Sequence, residues 1–90
     1  MSLRLDNPAD RAGRSLRKLL AAVRRQLPGT PLDGRFEQFT WNGQPGIHVL
    51  IALTNGSRKA YRCDLVTLRA TERSADRRLT LARLIAQELR

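Results

Sequence analysis

The chain has 90 residues and a formal net charge of +9, from 17 Lys and Arg against 8 Asp and Glu. That length accommodates one domain, 1–90, with a modest core and no second unit, and the cationic excess points to a polyanion or an acidic protein surface as partner. A lone cysteine, Cys63, excludes an internal disulfide and a Cys-based zinc cluster, and the lack of a long apolar run or a leader-like amino terminus leads to an expected cytoplasmic location without membrane contact.

Residues 1–7 read as a short arm in which Leu3 and Leu5 pack back on the domain. Asn7-Pro8-Ala9-Asp10 then forms a helix start: Asn7 caps, Pro8 loses nothing at the first helical position, and Asp10 meets the positive end of the helix. Pro28-Gly29 is a stop, so a helix is expected over 8–27. On a helical wheel Ala12, Leu16, Leu19, Leu20, Val23 and Leu27 share one sector, with Arg11, Arg14, Arg17, Lys18, Arg24 and Arg25 opposite. The apolar sector must be buried against a sheet or another helix. A membrane-surface helix is the competing reading, and the lack of an aromatic anchor in that sector weighs against it.

Residues 30–34 make a connecting loop, and 35–42 read as the first strand, with Phe39 and Trp41 on one parity and Phe36, Gln38 and Thr40 on the other. The second strand, 46–54, carries Ile47, Val49, Ile51 and Leu53 on its apolar parity and His48, Leu50 and Ala52 opposite. Pairing Trp41 with Ile47 across a five-residue loop sets Phe39 against Val49 and puts both rings in the core, with base stacking as the alternative role of Trp41. Asn55-Gly56 signals a hairpin. A two-residue turn there would set Val49 against Arg62, so the expected loop is Thr54-Asn55-Gly56 with Gly56 left-handed in a bulge. That register aligns Val49 with Tyr61, Ile47 with Cys63 and, on the outer face beside Leu50 and Arg58, His48 with Arg62. The third strand is expected over 57–68. Thr71 or Ser74 caps a second helix over 75–89, whose face is Leu81, Leu84, Ile85 and Leu89, with Leu79 off the sector.

The expected fold is therefore an α+β two-layer sandwich in the order helix-strand-strand-strand-helix, a three-stranded antiparallel sheet covered on one face by two helices. Catalytic chemistry is hard to place on it. Nucleophilic catalysis needs a histidine beside its nucleophile; His48, the only one, points outward and Cys63 inward, so the thiol reads as buried and inert and no catalytic residue is assigned. Gly29-Thr30-Pro31 lacks phosphate-loop spacing, the scattered carboxylates make no metal site, and no cofactor is implied.

What remains is binding. The expected function is a small basic nucleic-acid-binding protein that contacts mainly the phosphate backbone of RNA or DNA, through Arg14, Arg17, Lys18, Arg24, Arg25, Arg58, Lys59, Arg62, Arg77 and Arg78. The alternative is a protein-binding module, an inhibitor or host/phage modulator that docks the same basic surface on an acidic partner, with His48 and Leu50 as an outer-face contact. Monomer and homodimer both remain open.

Overall fold

The computed structural model describes residues 8–90. The expected arm over 1–7, the cap at Asn7 and the side chains of Pro8, Asp10 and Trp41 lie outside the described residues. Six elements follow in order: α1 (Pro8–Gln26), β1 (Leu32–Trp41), β2 (Gln44–Leu53), β3 (Ala60–Asp64), α2 (Leu65–Ala70) and α3 (Ala75–Leu89). The strands form one antiparallel sheet in the order β1-β2-β3, and the helices lie on one face of it, in a two-layer α+β arrangement. The shortest dimension, 21 Å, is that of a helix layer on a sheet.

The core lies between the layers. From α1 it takes Leu16, Leu19, Leu20 and Val23, from just past its end Leu27, from β2 Val49 and Ile51, from α2 Leu68, and from α3 Leu81, Ala82, Ile85, Ala86 and Leu89, with Tyr61, Cys63 and Leu65 partly buried against them. The apolar sector of α1 is thus buried in the molecule's own core. Ser74 caps α3, its hydroxyl accepting from Arg77 N at 3.2 Å.

Several expectations are corrected. β1 begins at Leu32, inside the stretch read as loop, and ends in a two-residue turn at Asn42-Gly43, whose φ values of 52° and 77° are those of a type I′ hairpin. Trp41 therefore pairs with Gln44, Phe39 with Gly46 and Phe36 with Val49, a slip of three from the five-residue loop, and an odd slip turns a strand over. Phe39 consequently lies on the outer face and Phe36 on the helix side. Between β2 and β3 the parity is as expected but the register differs by two: Val49 faces Cys63, Ile51 faces Tyr61, Leu50 faces Arg62 and His48 faces Asp64. The bulged three-residue loop is replaced by a six-residue connection, 54–59. In it Asn55 Oδ1 accepts from Ser57 N and Ser57 Oγ from Lys59 N.

β3 runs only from Ala60 to Asp64, shorter at both ends than the strand expected over 57–68. Asp64 Oδ1 accepts from Thr67 N at 2.7 Å and starts α2, whose Leu68 is fully buried. Three helices therefore cover the sheet. The β1–β2 hairpin outruns that cover. Along β2 burial begins at Val49, while Ile47 is 47% exposed rather than in the core.

Candidate nucleic-acid interface

β1 runs back along α1. Arg24 Nη2 donates to Leu32 O at 3.4 Å, and a Cβ on Gly34 would touch Leu20 and Leu16. The later residues of β1 therefore approach the amino-terminal end of α1. At that end Arg11, Arg69, Glu72 and Arg73 line one polar cavity of about 390 Å³. Arg14, Lys18 and Arg25 continue from Arg11 along one exposed stripe of the helix, spaced by three, four and seven residues, over about 21 Å of axis. Arg17 and Arg24 sit on the flank toward β1. Among the described residues, no carboxylate lies within ion-pair distance of Arg14, Arg17, Lys18, Arg25, Arg69 or Arg73.

The other cations named from sequence are placed differently. Arg58 and Lys59 occupy the connection 54–59 at the opposite end of the molecule, where Thr54 N donates to Pro31 O and Lys59 Nζ donates to Arg90 O. Arg77 is exposed in the first turn of α3. Arg78 is half-buried, its Nη2 donating to Glu72 O at 3.0 Å and its Nε buried without a partner; it ties the α2–α3 turn to the helix layer.

Arg62 belongs to a third group, on the uncovered face of the sheet. Glu37 on β1 accepts from His48 Nε2 at 3.1 Å and from Arg35 Nη2 at 3.3 Å, with Arg62 Nε at 3.7 Å. A carboxylate only accepts, so the His48 proton sits on Nε2. The His48 ring stacks on Phe39, centroids 4.9 Å apart and planes 8° from parallel, and the Phe39 ring occupies the space a Cβ on Gly46 would need. Glu37 and Arg62 are two strands apart, so their side chains meet above β2 and roof Leu50, which is only 6% exposed. The His48 hydrogen bond, then the hydrogen bond and charge of Arg35 and the charge of Arg62, hold the Glu37 carboxyl below its ordinary value against the opposing effect of desolvation. Around Glu37 the outer face is engaged with itself: Leu50 is covered, and His48 is held on its edge and on its ring.

Cys63 faces the helix layer, and burial, with a smaller push from Asp64, raises its thiol to about 11, which disfavours the reactive thiolate. Among the described residues no group of His, Cys, Asp and Glu is arranged to hold a metal ion, and no helix is long and apolar enough to cross a membrane.

The cluster of Arg11, Arg69 and Arg73 was not singled out from sequence. Arg11 and Arg73 had visible signals, the basic side of the first helix and the charged run before the second. Arg69 had none, because it falls between the strand expected over 57–68 and the charged run before the second expected helix. Comparison with family models, with characterised proteins and with solved structures finds no match to this chain.

Proposed function

We propose that this protein binds nucleic acid through the phosphate backbone, without catalysing a reaction on it. The observation that carries the reading is the cation track: Arg69 in the last turn of α2 and Arg73 in the turn after it, then Arg14, Lys18 and Arg25 along α1, exposed and with no carboxylate partner among the described residues. Like charges held in a row repel one another, and a polyanion relieves that repulsion while its condensed counterions are released. Arginine adds two-pronged contacts to phosphate oxygens. The uncovered sheet face supports the same side of the argument by default, since Arg35 and Arg62 there are turned onto Glu37.

The test is a titration of labelled duplex with the purified protein across a range of salt. Affinity should fall with salt, with the slope of log K against log salt shrinking by about 0.9 for each phosphate contact removed. Arg14→Ala with Lys18→Ala should lower that slope; Arg58→Ala with Arg62→Ala should leave it near wild type. Absence of binding at low salt, or binding indifferent to salt, refutes the reading.

One observation favours the alternative of a protein partner. Thr67, Ala70, Thr71, Thr80, Leu81 and Leu84 line a largely apolar groove of about 330 Å³ between α2 and α3, together with one charge of each sign, Asp76 and Arg77. Retention of a stoichiometric protein partner after nuclease treatment, together with failure of the salt titration, would select it.

A further inference from the structure

The hairpin segment 38–47 is an exposed part of the sheet that neither the cation track nor the Glu37 cluster uses, apart from Phe39 under the His48 ring. It extends past the row Glu37–His48 by about 14 Å at strand rise. Gln38, Phe39, Thr40, Asn42, Gly43, Gln44, Pro45 and Ile47 are all exposed. In a chain with 25 charged residues among 90, the sum of its 17 basic and 8 acidic ones, this stretch has none. An exposed ribbon is ordinarily kept soluble and solitary by charged side chains. This one presents amides, a hydroxyl and apolar groups instead.

We infer that the ribbon 38–47 enters the major groove of B-form duplex DNA and contacts base edges with the face formed by Gln38, Thr40, Pro45 and Ile47. The inference rests on the nucleic-acid reading above and names its substrate class. Four features support it. First, the strand pairing puts these four side chains on the helix side of the ribbon, and they line a shallow concavity of about 450 Å³ with Phe39 and Gly46. Second, that face borders the end of the helix layer where Arg69 and Arg73 lie, so a duplex seated on the ribbon brings its phosphates to cations. Third, two strands about 4.8 Å apart, with their side chains, match a groove about 12 Å wide and about 8.5 Å deep. Fourth, the chemistry is that of base edges: an amide pairs with adenine through its N6 and N7, a hydroxyl serves either base type, and Ile47 and Pro45 supply apolar contact for a thymine methyl. Uncharged groups suit this position because the groove floor offers donors, acceptors and methyls, while the phosphates lie at its rim. The deep, narrow major groove of A-form RNA does not admit such a ribbon.

The experiment uses the full chain and a pool of short DNA duplexes with a randomised centre, alongside duplex RNA of equal length. Bound DNA is enriched and then probed with dimethyl sulfate, which methylates guanine N7 in the major groove and adenine N3 in the minor groove. The expected result is an enriched sequence with A·T pairs at the contacted positions, protected N7 on the guanines within or beside them where the ribbon fills the major groove, and weaker binding of the RNA. Gln38→Ala with Thr40→Ala should lose the N7 protection and lower affinity for the enriched sequence on the order of tenfold or more, while keeping the wild-type salt slope and urea midpoint. Protection of adenine N3 instead, DNA binding without N7 protection, equal or tighter binding of the RNA, or a double variant that protects N7 as wild type does would each overturn the inference and leave the phosphate-backbone reading standing. Failure to bind any duplex at low salt would overturn both.

Discussion

At Gly34 the side chains of α1 pack directly on the backbone of β1. A Cβ there would lie 2.8 Å from Leu20 Cδ1 and 3.2 Å from Leu16 Cδ1, and both leucines are buried in the core, so neither can swing away without displacing others. Gly34→Ala should therefore destabilise by about 1–3 kcal/mol, read as a lower urea midpoint. Gly13 is the internal control. It lies within α1, and an added Cβ would meet only the tip of Arg17 at 3.7 Å. Gly13→Ala should raise stability by roughly 0.5–1 kcal/mol through helix propensity. A reversed order of the two midpoints would show that α1 is not seated on β1 as described.

The sheet is tied across its open face by a single acidic residue, since Glu37 on β1 meets His48 on β2 and Arg62 on β3. Its carboxyl is held below the ordinary value in the fold, and so is that of Asp64, by the backbone N–H and then the side chain of Thr67 at the start of α2. A carboxyl depressed on folding contributes stability that is complete above its unfolded value and is lost as pH falls through the folded one. The protein should lose stability as pH drops below about 4, where both carboxyls take up protons. Glu37→Gln should reduce the difference between urea midpoints at neutral and acid pH without abolishing it, because Asp64 titrates with the same sign. An unchanged difference would remove Glu37 from the account.

At the scale of the whole molecule the net charge of +9 decides the response to salt. The described structure pairs few cations with carboxylates, and the α1 track sets several within a screening length of each other. Self-repulsion should make the free protein more stable as ionic strength rises from roughly 0.02 to 0.2 M, before denaturant effects intervene. Over the same range its affinity for duplex should fall. Opposite slopes for stability and binding, measured on one preparation, are the expected signature of a surface shaped for a polyanion; parallel slopes would contradict it.

The sequence by itself determined the elements whose signals are local. Proline at 8 and Pro28-Gly29 bracket α1, and its apolar spacing separates core from cations because one helix repeat sorts both. Alternation in β2 and β3 determined which of their residues share a face, so Val49, Ile51, Tyr61 and Cys63 fall together under any even shift of register, such as the shift of two that the structure shows. Tertiary structure decided the rest. β1 carries aromatic residues on both parities, so its pattern permits either face, and the choice falls to the type I′ turn at Asn42-Gly43. That signal was present in the chain, but it lay beside a Pro-Gly pair that read as a longer loop. Val66 and Thr67 favour a strand locally; α2 forms because Asp64 caps it and Leu68 fills the core. Nor does a list of arginines tell which are free. Arg62 and Arg78 are committed within the fold, to Glu37 and to Glu72 O, while Arg69 and Arg73 are brought to α1 only by packing. Pairing depends on side chains two strands or a helix apart, and no spacing in the chain encodes that distance.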